Sequence, residues 1–256
     1  AVPTMHQAIL NRAVRNMAIV NKNKLKFIRS SSASLPVIIL EKLEEMFGCP
    51  VIEAYGMTEA SHQMASNPLP PLTRKVGTVG IASGPEIEVM SPDGKILTAN
   101  QIGEIVIRGA NVTKGYKNNR KANLENFTNG WFRTGDQGSI DTEGYLSIKG
   151  RLKEIINRGG EKISPQEVDE VFLSHPNVAQ AVTFSIPHEK LGEDIAAAVI
   201  LIDENINKTK DLHTFLQTRL ASFKIPKKII FVKEIPKGST GKIQRIGLAE
   251  KLGLRK

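Results

Sequence analysis

The chain has 256 residues, of which 40% are hydrophobic, and a formal net charge of +9. This length suits one large domain or two ordinary ones, and no apolar run reaches the roughly 18 residues of a membrane span. The positive charge is spread evenly along the chain and only 5% of residues are aromatic, which disfavours a nucleic-acid binder and favours small polyanions as partners. The single cysteine, Cys49, is expected to be a buried thiol in a reducing compartment.

The N-terminal quarter of the chain predicts an α/β layer. Apolar spacing and turn residues indicate, in order, a helix, a strand, a small-residue loop, a helix and a strand, at 5–20, 26–29, 30–34, 36–47 and 51–54. Pro36 starts the second helix and Gly48 ends it. A strand, a helix and a further strand in succession predict two parallel strands joined by a right-handed crossover.

The middle of the chain has a different pattern. Turn signals separate short β-rich runs such as 87–90 and 104–108, which predicts an antiparallel sheet or small barrel over 77–150. After Arg151 the pattern predicts an α+β domain of ordinary size, with the domain boundary at 149–153. Its predicted elements are a helix capped by Ser164 and Pro165, strands at 178–186 and 195–202, and a helix at 212–220.

Four short motifs follow one another along the chain: Tyr-Gly-Met-Thr-Glu at 55–59, Trp-Phe-Arg-Thr-Gly-Asp at 131–136, Gly-Arg-Leu-Lys-Glu at 150–154 and Pro-Lys-Gly-Ser-Thr-Gly-Lys at 236–242. Each is a weak match alone. Together they resemble the adenylate-forming enzymes, the superfamily of acyl-CoA synthetases, luciferases and peptide-synthetase adenylation domains.

This resemblance implies a domain organisation. Residues 1–150 would be the C-terminal portion of a large AMP-binding domain with a β-rich subdomain at 77–148, and residues 151–256 a small mobile α+β lid. The superfamily's Ser/Thr/Gly-rich phosphate loop has no counterpart before Tyr55. We therefore expect the chain to be the C-terminal part of such an enzyme, and the missing N-terminal segment to be needed for activity.

The resemblance also assigns nucleotide contacts. Tyr55 would stack on adenine, Gly56 would let the ligand approach the backbone, and Thr58 would offer its hydroxyl to a phosphate. Glu59 would bind the Mg²⁺ that bridges the phosphates, and Asp136 would accept the ribose hydroxyls. The further nucleotide-binding positions implied are Ala33, Ser34, Glu53 and Arg151. A strand-to-helix turn with Thr58 as its N-cap, and an aspartate in a turn, remain the structural alternatives.

The lid would carry the remaining chemistry. The segment that ends at Lys242 looks like a Walker loop, but Pro236 stands where that loop needs glycine. By resemblance, Lys242 is the catalytic lysine, which contacts the substrate carboxylate and the α-phosphate. Lys153 would be the hinge for domain alternation, and Gly159 and Gly160 would line the passage for coenzyme A. The implied catalytic set is Lys242, Thr58 and Glu59. A glycine turn before a helix and a surface lysine are the alternatives.

Segments 60–70, 111–119 and 157–165 resemble the oxalyl-CoA synthetase branch of the superfamily. Ser32 and His62 could hydrogen-bond a second carboxylate, whereas a fatty acid would need apolar walls. The alternative for His62 is a histidine on a helix face with a local partner.

The resulting prediction is a cytoplasmic acid–CoA ligase, with peroxisomal association open, that uses ATP, Mg²⁺ and coenzyme A and acts on a small carboxylic acid, oxalate being the expected one. Three alternatives stay open: a 4-coumarate-type or medium-chain acyl-CoA ligase, a fragment that binds nucleotide without catalysis, and a nucleic-acid binder.

Overall fold

The computed structural model describes residues 1–22, 24–203, 208–238 and 243–254. The chain separates into two compact units, Ala1–Ile148 and Lys149–Lys256, and the division lies beside the predicted boundary. That the units are part of an AMP-binding domain and a lid stays a prediction. In the described part of the chain, no helix is both long and apolar enough to cross a membrane.

Three helices accompany the first strands of unit 1. The helix predicted over 5–20 is two helices, α1 (Pro3–Ala13) and α2 (Met17–Lys22), joined by a 3-10 turn at Val14–Asn16. Helix α3 (Val37–Phe47) follows Pro36 and ends at Gly48, whose φ of +61° is left-handed, as the sequence predicts. Cys49 is buried, and burial, together with the negative charge of Glu44, raises the pKa of its thiol. This supports the prediction of a structural thiol.

The first sheet contains β1 (Ile28–Ser30), β2 (Val51–Met57), β3 (His62–Ser66) and β4 (Ile81–Ala82), in that order. Strands β1 and β2 are parallel and are connected by α3, whereas β3 pairs antiparallel with both of its neighbours. Every residue from Val51 to Tyr55 is buried, because β2 is a central strand that is covered on both faces.

The second sheet is antiparallel in its main order β5-β6-β8-β7, and β9 also pairs with β8. Its elements are β5 (Glu86–Met90), β6 (Gly103–Arg108), α4 (Arg120–Asn126), β7 (Phe127–Thr128), β8 (Trp131–Ile140) and β9 (Leu146–Arg151). The prediction of antiparallel β-structure is confirmed. One apolar cluster joins the two sheets, with Tyr55 and Met64 from the first packed against Ile105 and Phe132 from the second.

Unit 2 has one five-stranded sheet in the order β11-β10-β13-β12, with β14 parallel to β13. Its elements are β10 (Ile156–Arg158), β11 (Glu161–Ile163), α5 (Pro165–Leu173), β12 (Val178–His188), β13 (Gly192–Leu201), α6 (Lys208–Gln217), β14 (Lys228–Phe231) and α7 (Leu248–Lys251). Ser164 caps α5 as predicted, since its Oγ accepts from the Glu167 amide at 3.4 Å. Helix α6 is displaced towards the N-terminus relative to its prediction at 212–220.

The central strand β13 faces two separate apolar clusters. Ile195, Ala197 and Val199 belong to one cluster, and the intervening Ala196 and Ala198 belong to the other. This alternation follows from the two-residue period of a strand. It gives unit 2 a core on each side of its sheet.

Gly56 is required by the pairing of β2 with β3. It lies opposite Gln63, next to a register shift, and a Cβ added there would lie 1.5 Å from the backbone oxygen of His62. The predicted role of Gly56 in ligand access stays a prediction. The close approach of two backbones already accounts for glycine at this position.

Gly56→Ala should therefore lower the free energy of unfolding by about 3 kcal/mol, because an ordered backbone has to move. Gly48→Ala is the matched control: a Cβ there meets nothing within 4 Å, and only its φ of +61° is unfavourable. That control should cost about 1 kcal/mol. Urea unfolding of both variants measures the difference, and equal losses would contradict the steric explanation.

Candidate functional site

Apart from Asp136, the predicted nucleotide and acid residues of unit 1 lie in the first sheet or directly after its strands, and several of them lie at one end of it. Strand β1 ends at Ser30, opposite Glu53, and β2 ends at Met57, opposite His62 at the start of β3. The loop after β1, the turn after β2 and the first residue of β3 therefore share this end. It is the carboxyl end of the parallel pair, where open α/β sheets bind ligands.

A buried carboxylate holds the loop after β1. Glu53 is only 5% exposed, and its Oε1 accepts a hydrogen bond from the Leu35 amide at 2.9 Å. The predicted ligand residues in this loop, Ser32, Ala33 and Ser34, are exposed, and Ser32 has a φ of +72°. Glu53 thus fixes the end of the loop. Its predicted direct contact with the nucleotide stays a prediction.

The residues predicted for adenine and ribose are in contact. The Tyr55 hydroxyl donates to Oδ2 of Asp136 at 2.5 Å, and both residues are buried. The Asp136 amide donates to Oγ1 of Thr134, which itself donates to the Ile105 carbonyl at 2.7 Å. Asp136 lies within β8 and not in a turn; Gly135 before it has a φ of +74°, as in a β-bulge that redirects a side chain.

Thr58 and Glu59 lie in a single 3-10 turn, Thr58–Ala60, directly after β2. Met57 is the N-cap of this turn, so the alternative in which Thr58 caps a helix is wrong. Oε1 of Glu59 accepts a hydrogen bond from the Tyr116 hydroxyl at 2.9 Å. Burial, followed by the contact with Glu59, raises the pKa of the Tyr116 phenol. Tyr116 therefore holds the predicted metal ligand in one orientation.

Sequence reasoning gave no role to Tyr116 or to its neighbour Asn111. The Asn111 amide donates to the carbonyl of Ala60 at 2.8 Å, and Ser61 Oγ donates to the Asn111 carbonyl at 3.0 Å. The segment after β6 therefore holds the turn after β2. Both residues lie in 111–119, which the sequence singled out only for its resemblance to one branch of the superfamily.

His62 begins a strand, so its alternative as a histidine on a helix face is wrong. Its φ is +83°, that of Ser61 is +52°, and its side chain is exposed. No described residue hydrogen-bonds to the imidazole ring, which can accept or donate towards a ligand. Direct binding of the acid by Ser32 and His62 stays a prediction.

In unit 2, Gly159 and Gly160 form the two-residue turn between β10 and β11, with φ values of +60° and +100°. Two positive φ values match the turns that join tight hairpins. Arg158 before the turn pairs with Asp194 at 2.7 Å, and the Gly159 amide donates to the Leu191 carbonyl at 2.9 Å. The glycine turn expected from the sequence is present. Its role as a passage for coenzyme A is untested.

The remaining predicted residues belong to unit 2. Arg151 is the exposed last residue of β9, and Lys153 is exposed in the 3-10 turn Leu152–Glu154. Lys242 lies outside the described residues. On either side of it, Lys237 and Ile243 pair as an antiparallel bridge.

Comparison with known proteins agrees with this geometry. Residues 1–117 match the family model of AMP-binding enzymes, and residues 167–242 match that of the AMP-binding enzyme C-terminal domain. The chain belongs to the AMP-binding enzymes. The resemblance inferred from the four motifs is thereby confirmed.

The relatives of this AMP-binding enzyme share sequence and fold over nearly its whole chain. It is 52% identical over 246 residues to an oxalate–CoA ligase of Arabidopsis thaliana, an alignment of 96% of this chain and 48% of that protein. An oxalate–CoA ligase of Saccharomyces cerevisiae is 49% identical over 97% of this chain and 46% of its own length. The crystal structure of ATP-bound MatB from Rhodopseudomonas palustris matches with a TM-score of 0.87 and 33% identity, covering 98% of this chain and 50% of that one. The predicted fold is confirmed, and the chain spans about half the length of these relatives.

The contact between Tyr116 and Glu59 can be tested by titration. Glu59→Gln removes the negative charge and should lower the pKa of Tyr116 part of the way to the ordinary value of about 10, while burial continues to raise it. The pKa of the Tyr116 phenol is higher in the folded than in the unfolded state. The protonated phenol therefore contributes its full stabilisation at pH values below the unfolded-state pKa, and this stabilisation is lost as the pH rises through the folded-state pKa. Phenolate absorbance reports the titration, and Tyr116→Phe identifies the signal among the three tyrosines. An unchanged Tyr116 titration in Glu59→Gln would contradict the hydrogen bond.

Proposed function

We propose that the protein is an ATP-dependent, AMP-forming acid–CoA ligase. In the first half-reaction, a carboxylate oxygen of the acid attacks the α-phosphorus of ATP and pyrophosphate leaves, which gives an acyl-adenylate. In the second, the thiolate of coenzyme A attacks the acyl carbonyl and AMP leaves. The observation that best supports this proposal is the 2.5 Å contact between Tyr55 and Asp136 beside the Thr58–Ala60 turn, in a chain that belongs to the AMP-binding enzymes.

Unit 1 would bind the nucleotide. The face of the Tyr55 ring would contact adenine while its hydroxyl holds the Asp136 carboxylate in position to accept the ribose hydroxyls. Ala33 and Ser34 would contact adenine from the loop that Glu53 fixes, and Gly56 would bring the backbone close to the ligand. Arg151, which belongs to unit 2, would add its planar fork to a ribose or phosphate oxygen. Because most of these partners are already fixed, little reorganisation would accompany binding.

The residues around Glu59 fit a magnesium ion that arrives with ATP. Within the described ranges, no group of three or more His, Cys, Asp or Glu side chains could hold a metal ion. Mg²⁺ needs no such group, because it usually binds through one or two carboxylates together with substrate phosphates and water. Glu59, held by Tyr116 at 2.9 Å, would supply one carboxylate, and Thr58 would offer its hydroxyl to a phosphate. The ion would neutralise charge on the phosphates.

Unit 2 would complete the site differently in each half-reaction. For adenylation it would present Lys242, whose ammonium group offsets charge on the carboxylate and the α-phosphate as the bond forms. For thioester formation it would rotate about Lys153 and present the turn at Gly159 and Gly160.

Lys242→Ala should therefore abolish adenylation, measured as exchange of pyrophosphate into ATP, in the protein at its natural length. The loss should be about 10²-fold or more, typical of removing one electrostatic contact to a transition state. Thioester formation from supplied acyl-adenylate should be retained. The control is Lys237→Ala, the other lysine of the 236–242 segment. Equal loss of both half-reactions would refute the assignment.

We further propose oxalate as the acid. The support is twofold: two of the most similar relatives are oxalate–CoA ligases, and His62 and Ser32 offer polar groups at the end of the first sheet where the acid would lie. A second carboxylate needs hydrogen-bond donors, and the imidazole of His62 has no partner among the described residues. Binding of a 4-coumarate-type or medium-chain acid would not depend on His62.

The choice of acid can be tested by calorimetric titration of AMP, and of a non-hydrolysable oxalyl-adenylate mimic, into the 256-residue chain. His62→Ala should lower the affinity for the mimic by about tenfold or more, because a hydrogen bond to a charged group contributes about 1.5–3 kcal/mol. Affinity for AMP should be unchanged. His213→Ala, an exposed histidine in α6, is the control and should change neither.

Equal weakening of AMP and the mimic, or no effect of His62→Ala, would contradict the oxalate proposal and leave a general acid–CoA ligase. If the 256-residue chain binds neither compound, the same titrations apply to the protein at its natural length.

A further inference from the structure

Arg245, three residues after Lys242, forms hydrogen bonds with residues from three separate segments of unit 2. Its Nη1 donates to Oδ2 of Asp169 at 2.6 Å and to the Thr183 carbonyl at 3.0 Å, and its Nε donates to Oε2 of Glu154 at 3.2 Å. The side chain is only 21% exposed, and that of Asp169 is 9% exposed. Burial alone would lower the pKa of Arg245, but Asp169 and Glu154 raise it. Arg245 is therefore a half-buried cation that is paired with two carboxylates.

The partners of Arg245 connect the core of the unit to the turn that contains Lys153. Asp169 lies in α5 and Thr183 in β12, and the second oxygen of Asp169 accepts from the Thr183 amide at 2.6 Å. Glu154 is the last residue of the 3-10 turn that contains Lys153. Through Arg245, the residue that follows the predicted hinge is joined to α5 and to β12, the last strand in the order of the sheet.

The described residues on either side of 239–242 are anchored in unit 2. Before it, Ile235 is 1% exposed, and Lys237 pairs with Ile243. After it, Ile243 packs against the same apolar cluster as Ile235, and Leu248 in α7 is fully buried. Arg245 lies between these apolar anchors and adds the polar contact that fixes the direction of the chain.

We propose that Arg245 is a positioning residue that joins the turn at Leu152–Glu154 to residues 243–248, the described chain that follows Lys242. Through Arg245, a rotation at Lys153 would be transmitted from Glu154 to residues 243–248. Arginine suits this role because its planar fork reaches several acceptors at once, which a lysine ammonium on a flexible stem cannot do in the same geometry. The catalytic part of the inference rests on the proposed function.

The mechanical part can be tested without activity. Glu154→Gln weakens only the link to the turn and leaves Arg245 paired with Asp169. Amide hydrogen exchange should become faster both at 152–156 and at 243–248, because each segment loses support from the other. The matched control is Glu167→Gln, which breaks the 2.6 Å ion pair with Lys224 elsewhere in the unit, and faster exchange there should be confined to the start of α5 and the turn at Ser222–Lys224. Faster exchange at 152–156 alone, with 243–248 unchanged, would overturn the proposal.

The catalytic part uses Arg245→Lys in the protein at its natural length. This variant keeps a positive charge beside Asp169 and so avoids a buried, unpaired carboxylate, but it loses the fork. Adenylation should fall by about 10²-fold, as expected when a catalytic group is displaced by about 1 Å, while thioester formation from supplied acyl-adenylate should stay within about threefold. A melting temperature close to that of the unsubstituted protein shows that the variant is folded.

Equal losses in the two half-reactions, or no loss in either, would overturn the positioning role. If the unsubstituted protein forms no adenylate from any acid, the proposed function fails, and the hydrogen-exchange comparison still decides whether Arg245 joins the two segments.

Discussion

The hydrogen bond between Tyr55 and Asp136 is the contact around which unit 1 is organised. It joins the first sheet to the second, at the point where Met64, Ile105 and Phe132 form their common core. A buried carboxylate is costly unless its oxygens have donors, and one donor here belongs to a residue of the other sheet. Packing the two sheets in register brings this donor to the carboxylate, so the same contact stabilises the fold and orders two residues of the predicted nucleotide site.

The rest of the site follows the same logic of polar side chains that fix loops. Glu53 holds the loop after β1 through the Leu35 amide, and Asn111 holds the turn after β2 through the Ala60 carbonyl. Tyr116 fixes the side chain of Glu59. None of these three needs to touch the substrate to matter, because a binding group is effective only when a second layer of contacts keeps it in place. In unit 2, Arg245 would have the corresponding role, three residues after Lys242 in the sequence.

The sequence predicted what depends on local chemistry and missed what depends on distant partners. Pro36, Gly48 and Ser164 mark helix ends correctly, because capping needs only neighbouring residues. The helix over 5–20 is interrupted by a 3-10 turn that its apolar spacing does not reveal. His62 was open to a helical interpretation because the left-handed backbone at Ser61 and His62 reverses the chain without a glycine. Tyr116 could not be assigned to Glu59, since 57 residues separate them and only the fold brings them together.

The two-sided core of unit 2 has a mechanical consequence. Because Ile195, Ala197 and Val199 pack on one face of β13 and Ala196 and Ala198 on the other, bending that strand would open both cores at once. A domain packed in this way resists internal deformation, because a close-packed interior has low compressibility and transmits strain. A rotation that starts at one short turn would then move the whole of unit 2, and bending of its sheet would absorb little of that rotation.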